Sequence, residues 1–180
     1  MEIIDYPSPN FFTNGKSIKA VVLHGTAGPL NASLRVLTDP RSDEPEKAVS
    51  ANYLIHTNGD IYRLVPWWIG RRAWANGIVN NPDEDIKWLM DCIKNKINPN
   101  LVTISIEHVA SSSEMIKHGR MTDAQWSSSF NLVKKLLQQN GLKATNQTVI
   151  GHYQIDSVNK AYCPGVINIP AYINALNGIY

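Results

Sequence analysis

The chain has 180 residues, 43% of them hydrophobic and 18% charged, with a formal net charge of +2. A chain this long buries about 70% of the surface its unfolded form exposes, so it needs neither a disulfide nor a metal merely to stay folded. This balance excludes a disordered polymer, and a weak positive charge without aromatics interleaved among basic residues argues against a nucleic-acid partner.

The nearest things to a basic cluster are Arg71-Arg72 and Lys134-Lys135, pairs expected on solvated faces. Met1 to Pro7 has neither the basic stretch nor the apolar core of a signal peptide. No apolar run approaches the roughly 20 residues of a membrane span. The protein is therefore expected to be made in a cytoplasm, with no signal peptide and no membrane partner.

Lys19 to Leu23 is a short apolar, β-branched run and predicts a buried strand ending at His24. Gly25 to Pro29 is a turn-rich loop, and Asn31 is placed to cap a helix through Leu34 and Leu37. Asp39 to Pro45 reads as exposed loop. Tyr53 to His56 and Ile61 to Val65 flank Thr57-Asn58-Gly59-Asp60 and predict a hairpin on an Asn-Gly turn. Pro82 to Lys96 predicts a helix with acidic residues in its first turn and Cys92 as a buried free thiol. Leu101 to Glu107 is the most strongly β-patterned segment. Met121 to Asn140 predicts the longest helix, with a Thr122/Gln125 capping box, a stripe of Trp126, Phe130, Val133 and Leu137, and Gly141 as its stop. Thr148 to Gly151 predicts a short strand ending at His152, and a last helix runs from near Pro170 to before Gly178. The mixture predicts an α/β fold, a central mixed β-sheet flanked by helices, in a single domain over residues 1–180.

Placement separates the five histidines. His56 sits in the hairpin and His118 in a polar loop, and both read as ordinary residues. His108 follows Glu107, and strand alternation sends their side chains to opposite faces. His24 and His152 each end an apolar strand, where α/β proteins carry functional side chains, although such a pair can equally be satisfied core groups. Cys163 shifts that balance, because Pro164 and Gly165 fix a tight turn that lets its sulfur face inward. Two imidazoles and a thiolate with a fourth position open are a recognised catalytic zinc arrangement, and the spacing is not that of a zinc finger. Glu107, ending an apolar strand, is either an edge-strand surface charge or a carboxylate that moves a proton. Lys160 is either a solvated loop lysine or a cation beside a developing oxyanion.

Several segments, in order, resemble one family. Val21-Val22-Leu23-His24-Gly25-Thr26-Ala27-Gly28 is similar to the first metal-ligand motif of the amidase-2 type N-acetylmuramoyl-L-alanine amidases, a group that includes phage endolysins, AmpD-like enzymes and peptidoglycan recognition proteins. Val49 to Ile55 with Asn58 to Tyr62 resembles its Ser-Ala-His-Tyr strand and Asp-Gly hairpin. Ala73-Trp74-Ala75-Asn76-Gly77 resembles its tryptophan loop, Ile104-Ser105-Ile106-Glu107 its Ile-Gly-Ile-Glu strand, and Val149 to His152 with Lys160 and Cys163-Pro164-Gly165 its closing motif.

The resemblance implies zinc (Zn2+) on His24, His152 and Cys163, Glu107 as catalytic acid/base and Lys160 beside the oxyanion. It implies hydrolysis of the amide between N-acetylmuramic acid and L-alanine in bacterial peptidoglycan, by a monomer acting as a cell-wall lytic enzyme. An endolysin would reach the wall through a phage holin, and an autolysin is the bacterial counterpart. Asn52 replaces a histidine frequent in the family, and Ala75 replaces the histidine of the tryptophan loop. Substrate contacts are expected from Asn52, Trp74 and Asn76. Pro82 to Lys96 looks like an insertion and is expected to pack on the sheet rather than border the groove. Two other readings remain: a non-catalytic peptidoglycan-binding protein, whose kind usually lacks the cysteine, and a cytoplasmic amidase that recycles soluble muropeptides.

Overall fold

Ala20, Val21, Val22 and Leu23 are each no more than 1% exposed, and a strand apolar on both faces must be covered on both. In the computed structural model, which describes residues 2–110 and 119–179, this run opens the third of eight strands: β1 (Ile3–Asp5), β2 (Phe11–Phe12), β3 (Ala20–Gly25), β4 (Tyr53–Ile55), β5 (Ile61–Arg63), β6 (Arg72–Ala73), β7 (Thr103–His108) and β8 (Val149–Gly151). The described α-helices are α1 (Leu30–Thr38), α2 (Lys87–Lys94), α3 (Asp123–Gln139) and α4 (Ile169–Leu176). Six strands form one sheet in the order β1-β5-β4-β7-β3-β8. The β4–β5 hairpin is antiparallel and every other neighbour pair is parallel. β2 and β6 pair separately as an antiparallel ribbon. The expected mixed sheet with flanking helices is the observed architecture.

Alternation along the strands divides the sheet into two faces. Val21 and Leu23 of β3, with Ile104 and Ile106 of β7, pack on Leu132, Val133 and Leu136 of α3 and on Ile169 and Tyr172 of α4. On the opposite face Val22 and Ile150 pack with Ile86 and Leu89, so the 82–96 segment does sit on the sheet. Leu54 on that face packs with Leu34 and Leu37 of α1. Beside α1, the C-terminal ends of β3 and β7 are left open to a cleft.

Local departures from expectation have identifiable causes. Helix α1 starts at Leu30 with Pro29 at its cap, not Asn31. The Pro29 ring holds φ at −67° and its carbonyl accepts from both the Ser33 amide and the Ser33 hydroxyl. Helix α2 begins at Lys87, so Asp83, Glu84 and Asp85 precede it rather than fill its first turn. The Asp83 carboxylate accepts from the Asp85 amide (3.1 Å) and from Gln154 Nε2 (2.9 Å), and such side-chain bonds compete with helix at this point.

In α3, Thr122 Oγ1 accepts from the Gln125 amide at 3.1 Å, but Gln125 Nε2 donates instead to the carbonyls of Ile55 and Val109. Half of the expected capping box is therefore present. The buried stripe runs through Gln125, Ser128, Ser129, Leu132, Val133, Leu136 and Leu137, so Val133 and Leu137 of the expected line are in the core, while Phe130 is half-buried and Trp126 lies 36% exposed. Hydrogen bonds make it possible to bury the polar members of that stripe. Gly141, at φ 65°, closes the helix as expected.

Arg72 is only 5% exposed rather than solvated, because its guanidinium donates to the carbonyls of Lys16, Trp67 and Arg71. Lys134 and Lys135 are exposed and Cys92 is buried. His118 lies outside the described residues. Among the described helices none is long and apolar enough to cross a membrane.

Candidate active site

The parallel register of β3 and β7 sets His24 opposite Glu107, on the same sheet face. His108 faces the other way, as alternation requires. Its Nδ1 donates to the His24 carbonyl (2.9 Å) and its Nε2 accepts from Ser129 Oγ (2.8 Å). Strand β8 pairs with the other edge of β3, and the residue after it, His152, starts a 3-10 turn. The chain then folds back through Lys160 to Cys163, whose amide donates to the Lys160 carbonyl and whose carbonyl accepts from the Tyr153 amide. This turn presses against β8. A Cβ on Gly151 would lie 2.7 Å from Pro164 Cδ, so the absence of a side chain there permits the approach.

Three side chains thus converge from three separate stretches of chain. His24 Nδ1 and His152 Nδ1 are 3.0 Å apart, and one ring nitrogen of each histidine and Cys163 Sγ all lie within 4.8 Å of one another. The Gly25 amide donates to Cys163 Sγ at 3.4 Å. His152 Nε2 lies 2.9 Å from the Asn76 carbonyl, which can only accept, so the ring proton sits on Nε2 and Nδ1 offers its lone pair to the cluster.

Burial dominates the electrostatics. It holds His152 down to about 4, against the opposing pull of the Asn76 carbonyl. His24 is pushed well below the ordinary histidine range by burial and by His152 beside it. The Asn76 amide opposes that shift, yet His24 Nε2 has no partner of hydrogen-bond geometry. Burial also raises the Cys163 thiol to about 12, with the Glu107 charge adding to the rise. Glu107 is raised to about 7, again by burial, while the Lys160 charge opposes. The cluster therefore presents two neutral imidazoles and a thiol. That donor set suits a borderline-soft dication, which would draw the sulfur proton off on binding. Nitrogen ligands at about 2.0–2.1 Å and sulfur at about 2.3 Å from zinc fit donors this closely grouped.

Two members of the cluster, His152 and Cys163, line a cleft of 1080 Å³, and His24 is buried beside them. Glu107, His152, Lys160 and Cys163 line it on one side, and Phe12, Val36 and Trp74 contribute apolar wall. Lys160 is exposed at the rim. Trp74 packs against Phe12 with ring centroids 5.7 Å apart.

Two of the expected substrate contacts are elsewhere. Asn52 is fully buried in the sheet, where Oδ1 accepts from the Ser105 amide (2.9 Å) and Nδ2 donates to the Val65 carbonyl (3.0 Å). Asn76 is 1% exposed, and its side-chain amide bonds Thr103 Oγ1 at 3.0 Å. Neither side chain lines the cleft. At these two places matching substrate-facing motifs, the Asn52 amide completes the main chain's hydrogen bonding and the Asn76 amide bonds side-chain hydroxyls of β7. His56 bonds Asn58 within its own turn.

A family model described as N-acetylmuramoyl-L-alanine amidase matches residues 14–166. The chain belongs to that family. Several solved structures share the fold. An AmpD derivative is 21% identical, with 97% of this chain and 94% of that chain covered and a TM-score of 0.70. The amidase LysC from Clostridium intestinale is 13% identical, covering 100% and 99%, with a TM-score of 0.65. The Ph2119 endolysin from a Thermus scotoductus bacteriophage is 17% identical, covering 97% and 98%, with a TM-score of 0.60. A search of curated proteins returned no match.

The structural role of Asn52 can be checked by stability. Asn52→Leu leaves the Ser105 amide and the Val65 carbonyl unpaired, at a cost of about 1–3 kcal/mol for each group. Urea unfolding should show that loss, with KM unchanged in the folded fraction. Unaltered stability with a raised KM would return Asn52 to the substrate groove.

Proposed function

We propose that the chain is a zinc-dependent N-acetylmuramoyl-L-alanine amidase, one catalytic unit over residues 1–180 that acts as a monomer on peptidoglycan. One observation carries this reading: His24, His152 and Cys163 converge beside Glu107 at a large cleft. Family membership supports the bond that is cut, and the fold likeness to endolysin amidases supports a wall-lytic role. In an endolysin the enzyme meets the wall after release through a holin.

His24, His152 and Cys163 would hold the zinc, leaving a position open towards the cleft. When bound, zinc supplies Lewis acidity towards the scissile carbonyl and lowers the pKa of coordinated water. Glu107 takes the proton of the attacking water on a carboxylate oxygen and returns it to the amide nitrogen as the C–N bond breaks. The products are the lactyl carboxylate and the free amine of L-alanine. Lys160, at the rim with its charge reaching Glu107 and Cys163, supports the negative charge that develops on the carbonyl oxygen. Trp74 offers an aromatic face to the sugar or to the stem peptide.

Retention of the cysteine favours this reading over a non-catalytic binding protein. Digestion of purified peptidoglycan should release amino groups that end-group analysis identifies as N-terminal L-alanine, with no new reducing ends. New reducing ends would mean a glycosidase, and amino groups from deeper in the stem would mean an endopeptidase. Glu107→Gln should keep the fold and the zinc while losing about 10²–10⁴-fold in turnover. Near-parental turnover in that variant would reduce Glu107 to a bystander.

A further inference from the structure

The acceptor that pins His152 belongs to a turn that has to be held by something else. Asn76 supplies that acceptor through its main-chain carbonyl, and the next residue, Gly77, sits exposed at φ 60°. Nothing lies within 4 Å of where a Gly77 Cβ would be, so packing at Gly77 does not fix the peptide that carries the carbonyl. The restraint comes from the buried side, where the Asn76 side chain bonds Thr103 Oγ1 and Asn100 holds the amides of the turn. Asn100 Oδ1 accepts from the Asn76 amide at 2.9 Å and from the Ala75 amide at 3.2 Å, so one oxygen holds two successive N–H groups. Asn100 is itself 5% exposed, and its own amide donates to Asn98 Oδ1 at 2.9 Å in the short turn Pro99–Val102. That turn leads directly into β7, the strand that carries Glu107.

We propose that Asn100 is a positioning residue of the metal centre. It clamps the 75–76 turn to the start of β7, and the Asn76 carbonyl in turn fixes the tautomer and the ring direction of the ligand His152. The inference rests on the zinc reading above. It also adds to that reading, because it ties a ligand that follows β8 to the frame of the strand bearing the acid/base. Carbonyls and carboxylates that accept from a ligating histidine orient it and raise its basicity, and losing such a support typically costs 10–100-fold in metal affinity. Asn100 acts one bond further out, through the turn. Only a side chain whose oxygen accepts twice at that reach can replace it. Aspartate meets this requirement, leucine does not, and serine is too short.

Chelator competition on the purified protein measures zinc affinity directly, without turnover. Asn100→Leu should bind zinc about 10–100-fold more weakly than the parent. Asn100→Ser should be weakened in the same direction, and Asn100→Asp should stay close to the parent. With zinc at saturation, the Leu variant should recover turnover with KM unchanged. Parental zinc affinity in Asn100→Leu would overturn the proposal. So would an effect confined to KM, which would instead place Asn100 in contact with substrate. If the Leu variant fails to fold, the Ser and Asp variants decide: weakened Ser with intact Asp supports the clamp, and equal affinities overturn it. A parent protein that takes up no zinc would end the zinc reading itself, and this inference with it.

Discussion

The site depends on the place of β3 between β7 and β8. Because β3 pairs in parallel with both, its residue His24 stands level with Glu107 on one side and just ahead of the loop that follows Gly151 on the other. Period-two alternation puts His24 and Glu107 on the face that α1 and α2 leave partly open, while His108 goes to the packed face. A shift of one residue in the β3–β7 register would send either His24 or Glu107 into the core. Such a slip is costly, since either Val21 and Leu23 or Ile104 and Ile106 would leave the α3 and α4 cluster at the same time.

Around this frame almost every polar group is accounted for. His108 bridges the β3 backbone to Ser129 on α3, and Ser129 in turn lies 2.8 Å from the Tyr172 hydroxyl on α4. Neutral His108, held to about 4 by burial, must donate from Nδ1 to a carbonyl, so it accepts from Ser129 at Nε2. Ser129 then accepts from Tyr172, and the polarity of the chain is set throughout. By contrast, of five buried polar atoms without a partner among the described residues, three, His24 Nε2, Glu107 Oε2 and Trp74 Nε1, belong to residues of the metal-ligand cluster or the cleft, and the other two are Arg41 Nε and Arg72 Nε. Unmet hydrogen-bonding capacity collects where a functional site would use it.

Much of this was legible in the residues. The strand-end placement of His24 and His152, the Cys163-Pro164-Gly165 turn, the Asn-Gly hairpin and the buried Cys92 all follow from pattern and residue chemistry. What escaped were amides and helix faces whose role is decided by distant partners. Asn52 and Asn76 sit at positions that look substrate-facing, yet one hydrogen-bonds within the sheet and the other supports a ligand through its carbonyl. The C-terminal half of the α3 face, Val133 and Leu137, is as expected, but its N-terminal half differs because Gln125 and Ser129 are buried through bonds to residues tens of positions away. One signal was available for the Asn76 contact. In Thr103-Ile104-Ser105-Ile106-Glu107 the small polar residues share a face with the glutamate, and that face receives the Asn76 amide.

The claim that the cluster is a metal centre is tested most directly by elemental analysis of zinc in the purified parent, Cys163→Ala and Cys92→Ala proteins. The geometry predicts close to one zinc ion per chain in the parent and in Cys92→Ala, and most of it gone in Cys163→Ala. Zinc retained by Cys163→Ala, or lost from Cys92→Ala, would contradict the assignment.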